Sequence, residues 1–84
     1  MEQELQVPAE MMCPVSCDIM NDPVICMDGQ TYERLCIEQW FAKGKRTSPG
    51  TNEVLSSLTL VPNIALRAWI TRFLDECRGV GRSF

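Results

Sequence analysis

Four short segments decide the reading of this chain: Cys13-Pro14-Val15-Ser16, Asp22-Pro23-Val24, Asp28-Gly29-Gln30-Thr31-Tyr32-Glu33-Arg34 and Ser48-Pro49-Gly50-Thr51. At their centre, the apolar run Val24-Ile25-Cys26 meets Asp28-Gly29 and then the alternating Gln30-Thr31-Tyr32. That order predicts a β-hairpin turning at Asp28-Gly29. Upstream, Met11 to Asp22 reads as a compact loop punctuated by Pro14 and Asp22-Pro23. Downstream, Thr47 to Thr51 reads as a second turn-rich loop built on Pro49-Gly50.

A helix is expected to start near Thr31, whose hydroxyl can cap its first turn, with Glu33 near the positive end of the dipole. Ile37, Trp40 and Phe41 then form one apolar face, and Lys43-Gly44 ends it. Leu58 to Val61 is expected to supply a third short strand. A C-terminal helix follows the capping pair Pro62-Asn63. Leu66, Trp69, Ile70, Phe73, Leu74 and Cys77 recur along it at helical spacing as a core stripe, and it stops near Arg78-Gly79. The expected organisation is a flexible tail over residues 1–10, one domain over 11–78 and a flexible end over 79–84.

Eighty-four residues suffice for one small domain, which needs tight packing, a metal or disulfides to be stable. A net charge of −3 and a single short basic cluster, Lys43-Gly44-Lys45-Arg46, argue against nucleic acid as a partner. No apolar run approaches the ~20 residues of a membrane span, so no membrane role is expected. The acidic start lacks a signal-peptide layout, and a cytoplasmic or nuclear setting is the expectation. Five cysteines at 13, 17, 26, 36 and 77 make a poor disulfide framework. With no histidine, Cys–His and Ser–His–Asp catalysis are unavailable. The cysteines read as small buried hydrophobes.

Taken in order, with Ile37-Glu38-Gln39-Trp40 and Leu60-Val61-Pro62-Asn63-Ile64-Ala65-Leu66-Arg67 added, these segments resemble the U-box domain. U-boxes are ubiquitin ligase modules related to RING fingers but free of zinc, and the resemblance runs from about Met12 to Glu76. It implies a small α+β, RING-like fold: a β-hairpin plus a third short strand, a central helix, two long bracing loops and a C-terminal helix. Ser16, Asp28, Gln30, Glu33, Ser48 and Thr51 match positions where a RING places metal ligands. Cys13 and Cys36 alone keep a ligand residue type, and are expected to fall one in each of the two sites. The resemblance therefore implies no metal and no cofactor, with the polar residues and Arg34 bracing the loops through hydrogen bonds.

What the resemblance implies about function is a shallow groove for a ubiquitin-conjugating enzyme. The matching positions are Val15 and Cys17 in the first loop, Trp40 on the helix and Pro49 in the second loop. Bland roles stand beside these: Val15 and Pro49 as loop formers, Trp40 as core. Asn52 matches a position at which related domains contact both the conjugating enzyme and its tethered ubiquitin, making it a candidate allosteric activator; its alternative role is that of a turn residue. The implied activity is ubiquitin transfer to a lysine of a protein substrate by activation of the partner, with no catalytic nucleophile on this chain. One rival is a scaffold or dimerisation module that keeps the fold without stimulating transfer; no patch in the sequence decides whether the chain forms a homodimer. A second rival is a covalent ubiquitin thioester on one of the cysteines.

Overall fold

The computed structural model describes residues 7–81. A 3-10 turn at Ala9–Met11 leads into the first loop and buries Met11 completely. Strands β1 (Pro23–Ile25) and β2 (Thr31–Glu33) form an antiparallel hairpin, with Val24 opposite Tyr32. Helix α1 spans Arg34–Ala42. Strand β3 (Val61–Pro62) then pairs with the other edge of β1, giving the order β2-β1-β3. Helix α2 spans Ile64–Gly81. The α+β class expected from the sequence is the class observed.

The hairpin turns where expected. Gly29 carries a φ of +85°, a conformation that costs a Cβ-bearing residue, and the turn is closed by Cys26 N to Gln30 O at 2.8 Å. Helix α1, however, begins three residues later than expected. Thr31 to Glu33 is drawn into the sheet by its pairing with β1, so Glu33 becomes the N-cap. Its carboxylate makes no capping bond, because it accepts the Asn21 amide at 2.6 Å and the Asp22 amide at 3.2 Å instead. Tertiary hydrogen bonds override the local capping preference. At its other end α1 stops as expected, with Gly44 at φ +87° and its amide donated to Phe41 O.

The third strand lies at Val61–Pro62, at the far edge of the expected Leu58 to Val61 run, because only there does the backbone reach β1. Asn63 caps α2 as expected: its Oδ1 accepts the Leu66 amide at 3.2 Å. Its Nδ2 also donates to Thr31 Oγ1, joining the helix start to β2. On the α2 stripe, Ile70 is buried and Leu66, Phe73, Leu74 and Cys77 are half-buried. Trp69 departs from it, remaining 45% exposed at the margin of that face.

The core gathers Met11, Met20, Val24, Tyr32, Ile37, Leu55 and Ile70. The sheet, the two loops and α2 therefore share one apolar centre. The expected tail over residues 1–10 and flexible end over 79–84 lie in part outside the described residues. Within them, the 3-10 turn at Ala9–Met11 joins the fold and α2 continues to Gly81, past the stop expected at Arg78-Gly79.

Candidate functional site: two braced loops flanking a helix

The second loop is anchored by one polar cluster. Ser48 is fully buried, and its hydroxyl donates to Asp28 Oδ2 on the hairpin turn. The Tyr32 hydroxyl donates to the same oxygen at 3.1 Å and lies 3.0 Å from Ser48 Oγ. Both hydroxyls then accept from the loop backbone: Gly50 N reaches Tyr32 Oη at 3.2 Å and Ser48 Oγ at 3.1 Å, while Thr51 N reaches Ser48 Oγ at 3.2 Å. An ionised Asp28 makes the bonds to it charge-assisted. Burial by itself raises the Asp28 carboxyl, yet the bonds from Ser48, the Gln30 amide and Tyr32 hold it below its ordinary value. Burial also pushes the Tyr32 phenol up, and the adjacent Asp28 charge adds to that.

The first loop is tied to the start of α1. Cys13, 1% exposed, accepts the Glu33 amide at 3.4 Å through its sulfur. Within the loop, Cys13 N donates to Asp18 O at 2.9 Å and Cys17 N to Cys13 O at 2.8 Å, while Ser16 Oγ accepts the Asp18 amide at 3.3 Å. On α1, Arg34 Nε pairs with Asp22 Oδ2 at 2.7 Å, and its guanidinium lies 3.8 Å from Glu38. The Arg34–Asp22 pair is about a third exposed, so it orients Arg34 more than it stabilises the fold.

Several bracing assignments hold in altered form. Gln30 braces through its backbone, donating its amide to Asp28 Oδ1, while its side chain is exposed. Thr51 likewise contributes its amide, and its Oγ1 accepts only the neighbouring Glu53 amide. The expectation that Cys13 and Cys36 stand in separate sites is overturned. Burial pushes the Cys36 thiol up, and the nearby Cys13 adds to that. Cys13 accepts the Glu33 amide at the N-cap of α1, and Cys36 stands three residues on, in the first turn of the same helix. The first loop thus meets the start of α1 through Cys13 and Glu33, while Asp28, Tyr32 and Ser48 form an oxygen-only cluster. Both carboxylate oxygens of Glu33 accept backbone amides, from Asn21 and Asp22.

Sequence reasoning missed Tyr32 as the hub, along with Asp22 and Asn63 as ties. The signal for Tyr32 was present: an aromatic with a polar tip in an alternating strand, which needs a partner for its hydroxyl once buried. Gly50 was noted only as a turn former. A Cβ there would meet Tyr32 Oη at 2.8 Å, so the close approach also requires glycine.

Of the expected binding positions, Val15 is 45% exposed and Cys17 is exposed, both on the first loop. Pro49 is half-buried on the second. The Trp40 ring packs against the core, the alternative role weighed for it, and Nε1 donates to Thr47 O at 2.6 Å, tying α1 to the second loop. Lys45 Nζ lies over the ring, 5.3 Å from its centre. Asn52 is exposed with φ +67°, a left-handed conformation that Asn tolerates, which supports its turn role. Cys17 shares this conformation at φ +62°, and among the described residues these two are the non-glycine residues with positive φ. A surface hollow of about 560 Å³ lies elsewhere, between the N-terminal turn, the hairpin tip and α2; it takes in Pro14 and Trp69 but none of Val15, Cys17, Trp40, Pro49 or Asn52.

A small α+β domain with one loop tied to the start of its central helix and the other to the hairpin and the same helix defines a loop-presenting module. The U-box domain family model matches residues 7–79, and the chain belongs to that family. It is 48% identical over 69 residues to U-box domain-containing protein 45 of Arabidopsis thaliana, covering 82% of this chain and 9% of that protein. Identity to E3 ubiquitin-protein ligase SPL11 of Oryza sativa subsp. japonica is 45% over 71 residues, covering 84% of this chain and 10% of the relative. With WD repeat, SAM and U-box domain-containing protein 1 of Homo sapiens it is 48% over 69 residues, covering 82% and 14%. The chain thus spans about a tenth of the length of these relatives.

Proposed function

We propose that this domain is a ubiquitin ligase module that binds a ubiquitin-charged conjugating enzyme and promotes transfer to a lysine of a protein substrate. The observation that carries the reading is the buried Asp28–Tyr32–Ser48 cluster. It fixes the second loop, which carries Pro49 and Asn52, while the Cys13–Glu33 bond ties down the first, which carries Val15 and Cys17. A prepositioned surface loses little conformational freedom on docking, which suits a small, transient interface with exposed apolar anchors. Membership of the U-box family, and a relative named as an E3 ubiquitin-protein ligase, support the same reading.

The contribution to chemistry is orientation. A tethered ubiquitin held in one pose lets the acceptor amine meet the thioester in a near-attack geometry. Asn52 is the candidate contact for that pose, with fewer and neutral hydrogen bonds than an arginine would offer. No thioester forms on this chain in this mechanism: Cys13 and Cys26 are buried, and the chain has no histidine to activate Cys17. The setting proposed is cytoplasmic or nuclear. The test is discharge of charged conjugating enzymes onto free lysine with and without the domain. Stimulation by at least one of a panel, lost in Val15→Ala and in Pro49→Ala with the fold intact, is the expected result; activity retained in both variants removes the groove assignment.

The exposed Cys17 and neutral Asn52 favour one second reading, a scaffold that keeps the fold without stimulation. Absence of stimulation across the panel, with self-association in sedimentation at several concentrations, supports it. A reductant-sensitive ubiquitin adduct on the chain would instead establish the thioester route.

A further inference from the structure

The connection between α1 and the second loop concentrates positive charge on a chain that is acidic overall. Lys43, Lys45 and Arg46 are three of its eight lysines and arginines, against a net charge of −3. All three are exposed. Among the described residues, ion pairs are made by Arg34, with Asp22 and Glu38, and none is made by these three. The dipole of α1 accounts for a cation at Lys43, the C-cap, because its effect is confined to the last turn; Lys45 and Arg46 lie beyond it. Three like charges in four residues repel one another and find no carboxylate within the described domain. An acidic surface brought from outside is what relieves them.

The charges are also held in place. Lys43 N and Gly44 N close the end of α1 on Trp40 O at 3.2 Å and Phe41 O at 2.9 Å. Arg46 O accepts the amide of the buried Leu55 at 2.9 Å, and Thr47 bridges to Val54. The Lys45 ammonium lies 5.3 Å from the centre of the Trp40 ring, and that ring is fixed by its own bond to Thr47 O. An ammonium resting on an aromatic face keeps its other side free for an anion. Arg46 stands three residues before Pro49, so the charges lead into the second-loop surface proposed for the conjugating enzyme.

We propose that Lys43, Lys45 and Arg46 form a charge-selecting rim of the conjugating-enzyme contact, favouring a partner with an acidic patch opposite the end of α1 and disfavouring one with a basic patch there. This selection rests on the docking half of the ligase-module reading and adds to it the charge of the partner. Rim charges act mainly on the rate of encounter and on the choice between partners. They therefore set which conjugating enzyme docks, not how ubiquitin is transferred.

The test measures binding and lysine discharge separately, with purified conjugating enzymes grouped by whether their ligase-binding face is acidic or basic. Binding of the acidic group is expected to weaken as salt is raised. Lys45→Glu combined with Arg46→Glu is expected to weaken it by about threefold to tenfold at low salt, and to strengthen binding of the basic group, at a Tm close to the parent's. Arg46→Glu alone, which leaves the Lys45–Trp40 contact in place, shifts both groups in the same directions by less. Replacing the facing carboxylate of an acidic partner by lysine restores its binding to the charge-reversed domain. Equal effects on the two groups, or none on either while the parent still stimulates discharge, overturn the rim and leave the ligase reading standing. Charge-selective binding without discharge means the opposite: the rim stands and the ligase activity falls. If no conjugating enzyme binds, both fall. An oligonucleotide bound through the three cations, with no conjugating enzyme selected by them, also overturns the proposal.

Discussion

The Tyr32 hydroxyl accepts the Gly50 amide at 3.2 Å while donating to Asp28 at 3.1 Å, so one strand residue holds the hairpin turn and the second loop together. Tyr32→Phe removes this double contact at a site that is completely buried. Loss of the hydroxyl is expected to cost about 1–3 kcal/mol, the range for a buried group left unsatisfied. For a domain of this size each kcal/mol lowers Tm by about 4–8 °C. Thermal denaturation checks this, and a Tm equal to that of the parent removes Tyr32 from the role of hub.

Gly50→Ala places a Cβ 2.8 Å from Tyr32 Oη, with a rigid ring behind that oxygen. The loop must move to relieve the overlap, at a cost of about 1–3 kcal/mol. Because the clash is with the hydroxyl alone, Gly50→Ala should cost less in a Tyr32→Phe background. Urea denaturation of the two single variants and the double variant measures that coupling directly. Strict additivity would mean the glycine is needed for another reason.

The Asp28 carboxyl is held below its ordinary 3.8 in the folded protein. A depressed folded value means this stabilisation is fully present above about pH 4 and is lost as pH falls through the folded value. Denaturation midpoints are expected to fall on acidification through that window. Asp28→Asn should be less stable than the parent near neutrality but show a shallower acid dependence. Parallel profiles for parent and variant would show that other carboxylates govern the acid limb.

Asn52 at φ +67° is suited to test side chain against backbone. Asn52→Gly keeps the left-handed turn easily and should leave stability within a few tenths of a kcal/mol, whereas Asn52→Ala should cost about 1 kcal/mol. If Asn52 contacts the conjugating enzyme and ubiquitin, Asn52→Gly lowers lysine discharge at unchanged Tm and Asn52→Arg raises it. Equal discharge by all of these variants assigns Asn52 to the turn alone.

Much of the fold was legible because its signals are local. Asp28-Gly29 turns the hairpin, Gly44 ends α1 and Asn63 caps α2, each through bonds spanning only a few residues. The start of α1 was misread because Thr31, a good capping residue, and Glu33, a favourable first-turn charge, are taken away by distant partners: Thr31 by strand pairing, Glu33 by the Asn21 and Asp22 amides. Trp69 was misread for a related reason. Helical periodicity marks a broad apolar face, while the sheet and loops behind it decide which part of that face is covered.

The sequence by itself determined the α+β class, the hairpin, both helices and the U-box resemblance, because these follow from turn chemistry, periodicity and the order of motifs. Only the tertiary structure decided that Tyr32 is the hub between Asp28, Ser48 and Gly50, and that Cys13 is tied to the start of α1. The physical reason is the separation of the partners. A polar side chain announces that it needs a hydrogen bond, but with a dozen or more residues between donor and acceptor the packing of the sheet against the loops selects which group answers.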